Sequence, residues 1–139
     1  FLGTPADQAL GNEAEAMARG DIINLVGRTS LREAVAIIER ARVCLGPDTG
    51  LMHIAAAMGT PAVSLWGATD PVRTGPYGFS DLVIQGKADC SPCYRKHCSI
   101  GRICMQSIAL DAILAKIDKA LTLGRLTRFN PEESRVSLH

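Results

Sequence analysis

Residues 46–61, with the sequence Gly-Pro-Asp-Thr-Gly-Leu-Met-His-Ile-Ala-Ala-Ala-Met-Gly-Thr-Pro, carry the clearest chemical signal in the chain. Pro47 to Gly50 is a polar turn, and the residues after it favour a short apolar helix. If Asp48 or Thr49 caps this helix, the backbone N–H groups beside Gly50 remain free to bind an anion. Such a site favours negative charge by about 0.3–1 kcal/mol, and by up to about 2 kcal/mol when partly buried. The turn alone fits an ordinary strand–helix connection equally well, because Asp and Thr are common at helix starts.

The elements around this turn predict an α/β fold. An apolar strand over residues 41–46 leads into the turn, and a second strand is expected at 62–66. The helix between them is almost wholly apolar and is expected to be buried; Gly59 suits a left-handed helix stop, and Pro61 forbids continuation. Short apolar strands that alternate with helices, without hairpin turns, favour a parallel sheet with helices on both faces. Since ligands bind at the carboxyl ends of such strands, the turns that follow the two strands can face one ligand.

Two turns among the first forty residues supply weaker candidates for ligand contact. Asp7 follows a strand end at residues 1–3 and is expected to cap a helix that runs to about residue 19. A strand is predicted at 21–26. Ser30 and Glu33 then fit a capping box, in which the hydroxyl and the carboxylate each bind a free N–H group. The next helix has apolar residues at helical spacing, namely Leu31, Ala34, Val35, Ile38 and Ala41.

A long loop over residues 67–78 contains three Gly and two Pro. Loops of this length in compact domains are often binding loops. Thr69 offers a hydroxyl group there, and Arg73 offers a cation. Asp70, which precedes Pro71, indicates turn initiation as readily as ligand binding.

The rest of the chain completes the predicted domain. A last strand is expected at 81–85, followed by an amphipathic helix that begins near residue 107 and ends at Gly124. Residues 125–139 are polar and lack a periodic apolar face. The predicted organisation is therefore one Rossmann-like domain over residues 1–124 and a polar C-terminal tail over 125–139.

Three separated motifs resemble, in the same order, the donor-site signature of glycosyltransferase family 9, the ADP-heptose:lipopolysaccharide heptosyltransferases. They are residues 48–57, 59–61 and 66–71. The resemblance covers nearly the whole chain. It implies a glycosyltransferase of the two-domain GT-B type, of which this chain is the C-terminal, donor-binding half. The chain begins with Phe1 in what reads as a strand end, so it is expected to be a fragment, with the first strand and helix of that half outside it.

The resemblance also implies the substrates and the setting of the reaction. The donor is ADP-heptose or a related nucleotide sugar, and the acceptor is the lipopolysaccharide inner core. The family's N-terminal domain holds the acceptor and carries the catalytic base, so no catalytic residue is expected among these 139 residues, and this part alone is expected to be inactive. No cofactor is expected. The implied location is the cytoplasm, at the inner face of the bacterial inner membrane.

Each residue of the central motif has an implied role in donor binding. Thr49, Gly50 and Leu51 are expected to cradle the diphosphate with two backbone N–H groups and one hydroxyl, because glycine permits close approach. Asp48 is expected to bind sugar hydroxyls, since its negative charge repels phosphate. His53 lies on the same helix face as Thr49 and can pair with phosphate or donate one hydrogen bond. Further candidates for donor binding are Thr69 and, more weakly, Asp7, Ser30, Asp70 and Arg73.

A cysteine-rich segment follows the last predicted strand. Cys90, Cys93, Cys98 and Cys104 lie within fifteen residues, with two, four and five residues between them. This spacing matches no established zinc-finger pattern. A cluster of structural or redox-labile thiols is favoured; disulfides and a bound zinc ion or iron–sulfur cluster are the alternatives. Similar Cys-Ser-Pro-Cys segments in the resembling family imply no catalytic metal.

The composition excludes several classes of protein. A chain of 139 residues with 47% hydrophobic residues can build the core of one domain. Its formal net charge of +1, without a block of like charge, argues against nucleic-acid binding. No apolar run reaches membrane-spanning length. Neither Gly-x-Gly-x-x-Gly nor Gly-Lys-Ser/Thr occurs, which disfavours a nicotinamide-binding module and a P-loop.

Three other functions remain open on the sequence alone. One is a different GT-B enzyme, such as a UDP-sugar transferase or a nucleotide-sugar epimerase; these tend to have Ser-Gly-Gly where this chain has Thr49-Gly50-Leu51. Another is an α/β module that binds a phosphate ligand without catalysis. A cysteine-based metal or redox protein is the third, and it leaves the central motif unexplained.

Overall fold

The computed structural model describes residues 1–128. The pattern of contacts divides the chain into two compact units, Phe1–Ile37 and Ile38–His139. The boundary between them falls within one helix.

The first unit contains a 3-10 helix, Pro5–Asp7, and the helix α1, Gln8–Met17. The start of the chain pairs with residues 23–27: the N–H of Leu25 donates to the carbonyl of Phe1, and the N–H of Gly27 to that of Gly3, both over 3.0 Å. The prediction of a regular strand at 21–26 is wrong, because this short pairing does not extend into a ladder. The predicted helix also ends earlier, at Met17 rather than near residue 19.

The helix α2, Leu31–Arg40, begins with the predicted capping box. The N–H of Ser30 donates to Glu33 Oε2 over 2.7 Å, and the N–H of Glu33 donates to Ser30 Oγ over 3.3 Å. Ala34 and Ile38 are buried, as the apolar spacing predicts. Leu31 is 66% exposed instead, because it occupies the first helical position, ahead of the packed turns.

The second unit is built on the predicted parallel sheet. Its strands are β1 (Cys44–Pro47), β2 (Ala62–Trp66) and β3 (Val83–Gln85), in the order β1-β2-β3. Both strand pairs are parallel, with Gly46 opposite Ser64 and Ser64 opposite Val83. The α/β fold class is therefore confirmed, and β2 has the predicted bounds.

The helices of this unit are α3 (Gly50–Ala57), α4 (Pro71–Thr74), α5 (Ile103–Gln106) and α6 (Leu110–Arg128), with a 3-10 helix at Ser80–Leu82. Helix α3 covers one sheet face, because Met52 Sδ lies 3.0 Å from where a Cβ on Gly46 would stand. Helix α6 covers the other, where Ala120 joins the buried cluster of Val63 and Leu82. Successive strand residues point to opposite faces of a sheet, so Val63 and Ser64 lie on opposite faces of β2. Ser64, the register partner of Gly46, lies on the α3 face, and Val63 lies on the α6 face.

Several local predictions differ from the structure. Strand β1 begins at Cys44 rather than at residue 41, and β3 begins at Val83 rather than at residue 81, because Ser80–Leu82 forms a 3-10 helix. Helix α3 is buried on one side only, through Met52 and Ala55, and its remaining positions are partly or fully exposed. Helix α6 passes through Gly124 instead of ending there. A Cβ on this buried glycine would stand 3.1 Å from the carbonyl oxygen of Arg42, so the glycine permits close packing rather than a helix stop. The predicted loop 67–78 contains the short helix α4.

Most of the predicted tail, residues 129–139, lies outside the described residues, and residues 125–128 continue α6. The boundary at residue 124 stays a prediction. Within the described residues, no helix is both long and apolar enough to span a bilayer.

Candidate functional site

The carboxyl ends of β1 and β2 bring Asp48 and Thr69 together. Asp48 follows β1 directly, and Thr69 lies three residues after β2. The Thr69 hydroxyl donates a hydrogen bond of 2.7 Å to Asp48 Oδ2. The turns after these two strands therefore face each other, as the parallel arrangement predicts.

The N-terminus of α3 offers free hydrogen-bond donors next to this pair. Thr49 occupies the N-cap position in an extended conformation, and its side chain makes no capping hydrogen bond. The first N–H groups of a helix have no intrahelical partner. Within residues 1–128, nothing accepts a hydrogen bond from the N–H of Gly50 or Leu51. Thr49 is thus the capping residue by position, as one of the two predicted alternatives has it, but its side chain makes no capping hydrogen bond. Within residues 1–128, the Asp48 carboxylate accepts its hydrogen bond from Thr69 instead of from the start of the helix.

Gly50 leaves open space at the position where a side chain would stand. A Cβ at this position would meet no atom within 4 Å, and the residue does not require a positive φ. The fold therefore accepts a side chain here. A ligand that binds closely to the N–H groups would not tolerate a side chain at this position.

His53 lies on the exposed side of α3, close to Asp48. Its Nε2 atom is 3.9 Å from Asp48 Oδ1, which is within ion-pair range for a protonated imidazole and too long for a hydrogen bond. The His53 side chain is 46% exposed. This exposure excludes a role as a buried core histidine and leaves the ring available to a ligand at the start of α3.

Three contacts that the sequence did not predict hold the turn that carries Thr69. Ser91 Oγ donates to the carbonyl of Gly67 over 2.6 Å, and Gln85 Nε2 donates to the same oxygen over 3.3 Å. The N–H of Tyr94 donates to the carbonyl of Ala68 over 2.7 Å. The sequence could have indicated a role for Gln85, because it is the polar residue that ends the last predicted strand, at the same sheet edge as Asp48 and Thr69.

A cavity of about 310 Å³ adjoins the Asp48–Thr69 pair. Its other wall comes from the cysteine-rich segment and includes three cationic side chains, Arg95, Lys96 and Arg102. The sequence did not predict that these cations belong to the site, because no local pattern indicates that residues 47 to 54 positions after Asp48 return to it. The cavity also has four cysteines in its lining: Cys90, Cys93, Cys98 and Cys104.

All five cysteines of the chain are free thiols. Among residues 1–128, no group of three or more His, Cys, Asp or Glu side chains is arranged to hold a metal ion. Cys44 is partly buried in β1, and this burial raises the pKa of its thiol.

The weaker candidates in the first unit form local hydrogen bonds. Asp7 Oδ2 accepts from the N–H of Thr4 over 2.9 Å and from its hydroxyl over 2.7 Å, and these bonds lower the pKa of Asp7. The Ser30 hydroxyl donates to Glu33 over 2.8 Å. Both side chains thus have structural roles at helix starts, and a contact with ligand stays a prediction.

The weaker candidates after β2 also have partners within the fold. Asp70 caps α4, since its Oδ1 atom accepts from the N–H of Val72 over 2.9 Å. It lines a second cavity, of about 670 Å³, together with Lys87. The Arg73 guanidinium lies 6.0 Å from the ring centroid of Tyr94. Neither side chain lines the cavity beside Asp48.

The sequence model of glycosyltransferase family 9 (heptosyltransferase) matches residues 1–104. The chain belongs to this family. Among its relatives, lipopolysaccharide heptosyltransferase 1 of Pseudomonas aeruginosa is 42% identical over 111 residues, which are 80% of this chain and 30% of that protein. Lipopolysaccharide heptosyltransferase 2 of Salmonella typhimurium is 39% identical over 89 residues, which are 61% of this chain and 26% of that protein.

A solved structure supports the family 9 membership. The E. coli ADP-heptose lps heptosyltransferase II superimposes with a TM-score of 0.68 at 28% sequence identity. The match covers 89% of this chain and 36% of the E. coli chain. This family 9 chain therefore spans about a third of the length of the proteins it matches.

Proposed function

We propose that this family 9 chain binds the nucleotide-sugar donor ADP-heptose for heptosyl transfer to the lipopolysaccharide inner core. The observation that carries the proposal is the arrangement at the start of α3. Two unpaired backbone N–H groups, those of Gly50 and Leu51, lie beside a carboxylate that Thr69 holds in place. The names of the relatives support heptose as the sugar.

The unpaired N–H groups suit the diphosphate of the donor. Negative charge develops on the leaving diphosphate during glycosyl transfer, and fixed donors that point at this charge stabilise it. The dipole of α3 acts in the same direction. His53, on the exposed side of the helix, adds a hydrogen bond or a positive charge at the same place.

Asp48 suits the sugar rather than the phosphates. Its Oδ2 atom accepts from Thr69, and its Oδ1 atom remains available toward the side on which His53 lies. A carboxylate repels phosphate, whereas it accepts strong hydrogen bonds from sugar hydroxyls. Thr69 acts on the donor mainly through Asp48, because its proton is committed to that carboxylate.

Transfer itself requires the rest of a heptosyltransferase. Asp70, the other carboxylate in the turn after β2, caps α4 and lines a different cavity from Asp48. The chain spans 30% of the Pseudomonas aeruginosa relative. Much of the rate enhancement in such reactions comes from holding the acceptor in line with the reacting carbon. We propose that parts of a heptosyltransferase other than these residues hold the acceptor and supply the catalytic base, and that transfer takes place at the inner face of the inner membrane.

Calorimetry with a panel of nucleotides tests the proposal. The 139-residue chain should bind ADP-heptose more tightly than ADP, and ADP more tightly than UDP. Asp81→Ala, which changes an exposed carboxylate paired with Lys119, is the matched control and should bind like the unaltered chain. Equal affinity for ADP and UDP, or for ADP and ADP-heptose, would contradict the assignment of the donor.

A further inference from the structure

The cavity beside Asp48 brings a reactive type of side chain next to the proposed donor site. Four of the five cysteines line it, and the same lining includes Asp48 and Thr69. A group attached to one of these sulfur atoms would therefore take up space that adjoins both residues. The donor site uses none of these thiols.

Cys98 has the surroundings of a nucleophilic thiol. It is exposed, and the backbone N–H of Arg102 donates a hydrogen bond of 3.2 Å to its sulfur. The backbone N–H groups of Ile100 and Arg102, with the positive charges of Arg102 and Arg95, hold the pKa of the Cys98 thiol below its usual value. Hydrogen bonds and cations that stabilise a thiolate are what make a cysteine reactive near neutral pH.

The other cysteines lack this combination. Cys44 is partly buried in β1, where burial raises the pKa of its thiol. Cys104 is buried, with 9% of its surface exposed. Cys93 is partly buried and Cys90 is exposed like Cys98, but no described residue donates a hydrogen bond to the sulfur of either. Cys90 is therefore the matched comparison for Cys98.

We propose that Cys98 is a modification site, which exchanges with an anionic low-molecular-weight disulfide to form a mixed disulfide in the cavity beside Asp48 and Thr69. The modified cavity disfavours donor binding, and this consequence rests on the proposed function. An anionic disulfide is favoured because Arg95, Lys96 and Arg102 line the same cavity.

The exchange balances without any further reactant. The Cys98 thiolate attacks one sulfur of the disulfide, so that a bond forms between Sγ and that sulfur while the disulfide's own S–S bond breaks. The second half leaves as a thiolate and takes a proton from water. Cys98 is oxidised in this step, and the departing half of the disulfide is reduced.

Intact mass measurement and peptide mapping test the site. Incubation with glutathione disulfide at pH 7 should add one glutathione per chain, located on Cys98, and dithiothreitol should remove it. Cys90→Ser should react like the unaltered chain, whereas Cys98→Ser should not react at a comparable rate. Cystamine, a cationic disulfide, should react more slowly than glutathione disulfide. An adduct mainly on Cys90, or an unchanged rate in Cys98→Ser, would overturn the proposal.

An internal disulfide is a second possible product of the same reagent. If Cys93 or Cys90 displaces the glutathione, the map will show a disulfide that contains Cys98. This outcome supports Cys98 as the point of attack when Cys98→Ser abolishes it. An internal disulfide that still forms in Cys98→Ser contradicts it.

Donor affinity before and after modification tests the consequence. The glutathionylated chain should lose about tenfold in affinity for ADP-heptose, the equivalent of about one hydrogen bond to a charged group. The same treatment should leave the affinity of Cys98→Ser unchanged. If the unmodified chain binds no ADP-heptose, the proposed function fails while the mass result stands. If the unmodified chain binds ADP-heptose and glutathionylation leaves the affinity unchanged, the proposal that the modification disfavours donor binding is wrong.

Discussion

The Thr69 hydroxyl donates a 2.7 Å hydrogen bond to Asp48 Oδ2, and this bond joins the turn after β2 to the turn after β1. It leaves Asp48 Oδ1 as the carboxylate oxygen that faces a ligand, with His53 Nε2 at 3.9 Å. The two residues are 21 positions apart in the chain. The orientation of the carboxylate therefore depends on a side chain from a different strand end.

Thr69→Val should weaken ADP-heptose binding because it removes the hydroxyl that orients Asp48 and keeps the shape of the side chain. The expected loss is about 1–1.5 kcal/mol, or about five- to tenfold in Kd, since the carboxylate is partly exposed to water. Calorimetry with ADP-heptose measures it. Thr69→Ser retains the hydroxyl and should retain the affinity. A loss of the same size for Ser and Val would show that the methyl group matters instead.

Asp48→Ala should weaken binding of ADP-heptose more than binding of ADP, because the carboxylate addresses the sugar. Loss of a charged hydrogen-bond partner costs about 1.5–3 kcal/mol, which is at least about tenfold in Kd. The difference between the two ligands, measured by calorimetry on the same protein, is the decisive quantity. Equal losses for ADP and ADP-heptose would remove Asp48 from the sugar site.

Gly50→Ala and Gly59→Ala should separate ligand binding from stability. A Cβ on Gly50 meets no protein atom within 4 Å, so Gly50→Ala should unfold at the normal temperature. It should bind ADP more weakly, because the added methyl group hinders the close approach of the diphosphate to the neighbouring N–H groups. Gly59 has a φ of 71°, so alanine there should cost about 1–2 kcal/mol of stability and leave ADP affinity intact. Thermal unfolding and ADP titration of both variants check the pair. Unchanged ADP affinity in Gly50→Ala would contradict the diphosphate cradle.

Glu33 should contribute to the acid sensitivity of the fold. Hydrogen bonds from the N–H and the hydroxyl of Ser30 lower the pKa of its carboxyl in the folded state. A lowered folded-state pKa gives stability that is complete above the ordinary value and is lost as pH falls through the folded-state value. Glu33→Gln should therefore flatten the fall in melting temperature between about pH 5 and pH 3.

The control for this pH effect lies on the same helix. Glu39→Gln changes a carboxylate that accepts no hydrogen bond from any of residues 1–128. Its profile should follow that of the unaltered chain. If Glu33→Gln and Glu39→Gln give the same profile, the capping box does not contribute to acid unfolding.

Features that depend on neighbours in the sequence were predicted correctly. The capping box at Ser30 and Glu33, the strand at 62–66 and the left-handed Gly59 all follow from residue types within a few positions of one another. The order of the three family motifs indicated family 9, which the match over residues 1–104 confirms. Local hydrogen bonding, backbone sterics and motif order need no knowledge of distant contacts.

Features that depend on distant residues were decided by the tertiary structure. Gly124 was predicted to end a helix. In the structure it lies within α6, where the lack of a side chain permits close packing against the carbonyl of Arg42. Asp48 was one of two candidates for the helix cap, and in the structure its carboxylate accepts a hydrogen bond from Thr69. The cationic, cysteine-lined wall of the cavity arises because the chain after β3 returns to the carboxyl edge of the sheet. Polar atoms take the partner that the packed fold brings nearest, and sequence spacing does not reveal which partner that is.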